Sequence, residues 1–166
     1  MEVIALIKYN LPTNWKGYKI NWSVESILKV ISADDTEKAL SEFFVFLPSV
    51  EELSDGGVEF LTEFLKCGNG DRPKSKRKSK VKSLDYFSDW DLIVSAFRKC
   101  YGVSANELLS MHWWEFNWLF VDIKDTLLNE VMFARVGDKS KLDSAKLAQY
   151  NKLKKQYPLP KEGDEK

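Results

Sequence analysis

One stretch of this sequence restricts the fold more than any other. Residues 72–82 read RPKSKRKSKVK, with seven cations in eleven positions and Val81 as the single hydrophobic residue. Like charges at that density repel and cannot be desolvated together, so the stretch is excluded from any core and reads as a solvated tether. Gly68, Gly70 and Pro73 open it with turn chemistry. The formal net charge of zero conceals it. Residues 1–66 carry six lysines against eleven carboxylates, and residues 85–166 carry twelve cations against thirteen carboxylates, so the whole basic excess lies between them. The expected organisation is an N-terminal half (1–68), a disordered basic linker (69–84), a C-terminal half (85–160) and a disordered tail (161–166).

Both halves carry helical periodicity. Near the start, Trp15, Tyr18 and Ile20 alternate around Lys16-Gly17, which suits a small β-hairpin. Ser23 is placed to cap a helix over 24–31. A second helix is predicted from about Asp35 to Pro48, with Ala39, Leu40, Phe43, Phe44, Phe46 and Leu47 on one face. A third, over 58–67, gathers Phe60, Leu61, Phe64 and Leu65 and ends at Gly68. Past the linker, Ser88 with Asp91 resembles a capping box ahead of a stripe of Trp90, Ile93, Val94, Phe97, Cys100 and Tyr101. Ser104 with Glu107 opens a helix predicted to run unbroken to about Asp122, and two more follow over 126–136 and 143–157. The fold class expected is all-α, a helical bundle in two halves with a small N-terminal β-hairpin.

Composition excludes several classes. Six Trp, six Tyr and ten Phe in 166 residues supply apolar area for a real core, which rules out a wholly disordered chain. No apolar run approaches the ~20 residues needed to span a bilayer. The N-terminus lacks a basic region and its apolar run over 3–7 is too short for a signal-peptide core, so a cytosolic location is expected. Cys67 and Cys100 agree with a reducing compartment, offer no disulfide framework, and read as two core thiols. With His112 as the only histidine and no paired cysteines, no metal site, cofactor or catalytic group is expected. Asp89 and Asp91, two apart, point away from each other on a helix and read as carboxylates favouring its positive end.

Two features are candidates for binding. Arg72, Lys74, Lys76, Arg77, Lys78, Lys80 and Lys82 could neutralise several phosphates in a salt-sensitive, sequence-blind way, although no aromatic is interleaved for base stacking; the alternative is a solvated linker or a docking arm for an acidic protein surface. The other is MHWWEFNWLF at residues 111–120. On a continuous helix, Leu108, Leu109, His112, Trp113, Phe116, Leu119 and Phe120 form one broad apolar face. Met111, Trp114 and Trp118, spaced i, i+3 and i+7, form a second stripe inside the polar arc of Glu107, Ser110, Glu115, Asn117 and Asp122. That stripe is either core, in a helix packed on both sides, or a ridge for a partner, with His112 and Trp113 facing the domain's own interior.

At this helix the sequence resembles the small tail-gene proteins of phages of Gram-positive bacteria filed as phage gene product fifteen. The residues carrying the resemblance are the Cys67-Gly68 helix end, the Lys-rich spacer, and Asp85-Tyr86-Phe87-Ser88-Asp89-Trp90-Asp91-Leu92-Ile93. Ala96-Phe97, Tyr101-Gly102 and Met111-His112-Trp113-Trp114-Glu115-Phe116 follow, then a Lys-rich helix ending in Tyr157-Pro158-Leu159-Pro160. The similarity spans roughly residues 11–160, and His112, Trp113 and Trp114 are its signature patch. It implies a tail-assembly chaperone that coats the tape-measure protein until tube protein polymerises around it. Implied partners are the tape-measure protein, tail tube protein, a companion chaperone or a second copy of the chain, in the host cytoplasm and absent from the mature virion. The readings set against it are a nucleic-acid-binding accessory protein using the basic linker, and a structural component retained in the virion tail.

Overall fold

The structure, a computed structural model, describes residues 11–68, 82–140 and 142–160. The basic segment from Arg72 to Lys80 and the expected tail lie outside the described residues, and of the tether only Lys82 is described. The protein is mostly α-helical, with one two-stranded antiparallel hairpin near its start. Its described residues fall into two compact units: one from Met1–Arg72 with Leu109–Asn117, the other from Pro73–Leu108 with Trp118–Lys166. The division is not the sequential one expected, because residues 109–117 belong with the first unit.

The first unit begins with β1 (Asn14–Trp15) and β2 (Tyr18–Lys19), in register Asn14↔Lys19 and Trp15↔Tyr18. Lys16 and Gly17 both take positive φ (46° and 90°), the two-residue turn whose twist matches that of paired strands. Four helices follow: α1 (Val24–Ile31), α2 (Thr36–Phe43), α3 (Val50–Ser54) and α4 (Gly57–Leu65). Ser23 caps α1 by accepting from Ser26 N–H, and Asp35 caps α2 by accepting from Lys38 N–H at 2.7 Å. Ser49 and Glu52 form a full capping box on α3, a helix absent from the sequence prediction. The core joins Val24, Ile27 and Val30 of α1 to Leu40, Phe43, Leu61 and Phe64. Phe43 is its aromatic hub, 5.1 Å from the ring of Phe44 and 5.2 Å from that of Phe64.

Helix α2 stops at Phe43, five residues short of Pro48. Phe44 turns extended and bridges Ile20, Val45 N–H donates to the Lys19 carbonyl, and Asn21 caps the helix end. The Asn21 backbone N–H reaches the Phe43 carbonyl at 2.7 Å and its side-chain amide reaches the Glu42 carbonyl at 2.8 Å. Phe46 and Leu47, predicted on the buried helical face, are therefore outside the helix and exposed.

The second unit contains α5 (Trp90–Tyr101), the start of α6 (Ala105–Ser110), the end of α7 (Trp113–Asp122), α8 (Leu127–Val136) and α9 (Ser144–Gln156). Ile93, Ala96 and Phe97 supply the buried stripe of α5, and Cys100 is exposed, not a core thiol. Ser88 and Asp91 do not cap α5. Instead Asp85 accepts from Phe87 N–H, Ser88 N–H and the Ser88 hydroxyl in a tight turn before it. The Ser104–Glu107 capping box forms as expected.

Candidate functional site

The predicted single helix from Ser104 to about Asp122 is two helices, broken at Met111 and His112. Neither glycine nor proline causes the break; the backbone is diverted into pairing with residues 22–24. Val24 N–H donates to the Met111 carbonyl and Trp113 N–H to the Trp22 carbonyl, both at 2.9 Å, around an antiparallel bridge between Ser23 and His112.

The side chains of the signature patch complete this attachment. Helix α4 leaves carbonyls without helical partners at its C-terminus. Cys67 N–H returns to the Phe64 carbonyl and Gly68 N–H to the Glu63 carbonyl, with Cys67 and Gly68 both left-handed (φ 55° and 66°), a Schellman ending. The two adjacent indoles then supply further donors to the same turn. Trp113 Nε1–H reaches the Leu65 carbonyl at 3.2 Å, and Trp114 Nε1–H the Phe64 carbonyl at 2.8 Å. Gly68 lies directly under Trp114, since a Cβ there would stand 3.1 Å from the indole.

His112 caps the start of α7, because its Nδ1 accepts from Trp114 N–H at 3.1 Å. The ring proton therefore sits on Nε2, from which it donates to the Pro12 carbonyl at 3.0 Å. Trp22 stacks on the imidazole at 5.4 Å. Burial pushes the imidazole pKa below its ordinary value, opposed by the Pro12 hydrogen bond and by Glu115, so the neutral ring is the one this site holds.

The three residues of the predicted ridge, Met111, Trp114 and Trp118, have different surroundings. Met111 precedes α7 and so is not on its helical wheel, and Trp114 is half-buried with its indole on α4. Trp118, 37% exposed, is part of the second unit. His112 and Trp113 are buried.

Among the described residues no group of three or more His, Cys, Asp or Glu is placed to hold a metal ion. Burial raises the Cys67 thiol to about 11, which leaves it a poor nucleophile. No described helix is long and apolar enough to cross a membrane.

The second unit has a centre that sequence reasoning missed. Arg135 and Asp89 form a buried bidentate pair at 2.6 and 2.8 Å, both side chains only 3% exposed. The other guanidinium donors reach the Ser83 carbonyl once and the Tyr157 carbonyl twice, so all five N–H groups are used. Asp89 also accepts from Asp85 N–H at 2.9 Å. Asp89, the residue immediately before α5, is thus a buried counterion to Arg135 as well as a carboxylate at a helix N-terminus. Its partner is 46 residues away, a distance over which no local pattern points.

What the protein does leave to solvent is apolar surface. Phe46 and Val50 are 79% and 85% exposed in the first unit, and Val121 is 78% exposed in the second. The sequence model of the family described as Bacteriophage Gp15 protein matches residues 6–159, nearly the whole chain. No curated protein and no solved structure matches it.

Proposed function

Because the chain belongs to the bacteriophage Gp15 protein family, we propose that it is a phage tail-assembly chaperone, binding the tape-measure protein while the tail tube is built. The observation that carries the reading is exposed apolar surface: among the described residues every buried side-chain polar atom has a partner, while Phe46, Val50 and Val121 face water. Surfaces of this kind suit the apolar face of an amphipathic helical client. In this reading the protein is not an enzyme, uses no cofactor or metal, and acts in the host cytoplasm without a membrane. Tail tube protein, a companion chaperone or a second copy are its further partners.

Co-expression with the tape-measure protein encoded in the same phage genome tests the proposal. The expected result is a soluble complex that co-purifies; unchanged tape-measure solubility with no co-purification would overturn it. Absence of the chain from purified particles by mass spectrometry separates an assembly factor from a structural tail component. A second reading, nucleic-acid binding, rests on the seven cations of residues 72–82. It requires tight binding at about 150 mM salt that is lost when those residues are deleted.

A further inference from the structure

We propose that residues 45–50, with the cleft beside them, form a docking surface for a basic amphipathic helix of a partner protein. The inference rests on the chaperone reading only for the partner's identity. Four of these six residues, Val45, Phe46, Leu47 and Val50, are exposed apolar side chains, while Pro48 between them is buried. The run is fixed at both ends. Phe44 bridges Ile20 and Val45 N–H bonds to the Lys19 carbonyl, while the Ser49–Glu52 capping box sets the backbone at Val50. Apolar side chains held out on a fixed backbone lose little conformational freedom when a partner covers them. The run leads into a cleft of about 530 Å³ lined by Ile20, Trp22 and Val45, with Asn14, Lys19 and Ser26 among its polar walls, which is room for several side chains.

Charge selects the occupant. Residues 39–65 contain six carboxylates and no lysine or arginine. Glu51, Glu52, Asp55, Glu59 and Glu63 are all exposed, on the two short helices that follow the apolar run and in the turn between them. Lys16 pairs with Asp55, Lys66 with Glu63, and Lys19 stands in the cleft wall, so the five exposed carboxylates still outnumber the three lysines. An apolar strip followed directly by an exposed acidic segment is complementary to a helix that carries leucines on one face and Lys or Arg on its flanks, and disfavours the same helix with Glu flanks.

The test uses the full chain and two synthetic helical peptides with identical leucine faces, one Lys-flanked and one Glu-flanked, followed by fluorescence anisotropy. The Lys-flanked peptide is expected to bind at least about tenfold more tightly, less so as salt is raised. Phe46→Asp/Val50→Asp and the milder Phe46→Ser/Val50→Ser are expected to lose that binding without a change in unfolding midpoint, whereas Val121→Asp retains it. Equal binding of the two peptides, or undiminished binding by the Phe46/Val50 variants, would overturn the proposal. So would dimerisation of the wild-type chain that these variants abolish, since the occupant would then be a second copy. If the peptide results hold and tape-measure protein fails to co-purify with the wild type, the chaperone reading falls and the docking surface stands. If tape-measure protein co-purifies equally with the Phe46/Val50 variants, the docking surface falls and the chaperone reading stands.

Discussion

The first unit holds its distant segment with neutral groups: two indole N–H donors on the end of α4, and an imidazole that accepts from Trp114 and donates to Pro12. The second gathers Ser83, Asp89 and Tyr157 around one guanidinium whose charge is matched by one carboxylate. The neutral attachment is divided among several modest bonds, each worth about 0.5–1.5 kcal/mol net, so its parts can be lost singly. The ionic one is concentrated, and removing either partner leaves a buried charge uncompensated. Similar tasks of joining remote backbone are therefore performed with different tolerance to mutation.

The sharpest way to break the comparison is Arg135→Ala. It strands Asp89 and frees the Ser83 and Tyr157 carbonyls, and is expected to cost about 3–5 kcal/mol by urea unfolding. A loss below about 1 kcal/mol would show that the ion pair is not the keystone of its unit. Next in size is Trp114→Ala, expected to cost about 2–3 kcal/mol because a half-buried ring and its bond to Phe64 are both lost. Trp118→Ala, at a ring 37% exposed, is expected to cost less, about 1–2 kcal/mol. Equally small losses at the two tryptophans would favour the exposed ridge that the helical wheel suggested, and several kcal/mol at both would make the stripe core. The smallest effect is set by pH. The folded-state pKa of His112 lies below its unfolded value, so its contribution is present above about pH 6.5 and declines as pH falls from there. The wild type is therefore expected to lose more stability between pH 7 and pH 5 than His112→Asn, whose amide oxygen keeps an acceptor at the cap without titrating. Parallel losses in the two proteins would remove His112 from the acid response.

Where local chemistry decides, the sequence is legible. Ser23 and the apolar spacing after it place α1 at its observed bounds, and the Lys16-Gly17 hairpin, α8 and α9 fall within a residue or two of expectation. The misreadings come where tertiary hydrogen bonds override a helical pattern. Nothing in Leu109-Ser110-Met111-His112-Trp113 breaks helical periodicity; the break comes from the backbone at Trp22 and Val24, far away in the chain. The same cause ends α2 early at Asn21's hydrogen bonds, and turns Phe46 from an expected core residue into an exposed one. Trp113 and Trp114 stand out in the sequence as aromatic bulk, but their part in the structure lies equally in their N–H groups, which composition does not reveal.

The bond between His112 and Pro12 joins residues one hundred positions apart, and that span governs when the first unit can exist. During synthesis its N-terminal helices are complete at Gly68, yet the residues that finish it, Leu109–Asn117, are added roughly 40 residues later, some 2–8 s at about 5–20 residues/s. Through that interval the last turn of α4 lacks the two indole donors and Trp22 lacks the imidazole it stacks on. The nascent chain must therefore hold an unfinished N-terminal unit, with its strongly acidic surface, while the basic stretch and α5 are being made.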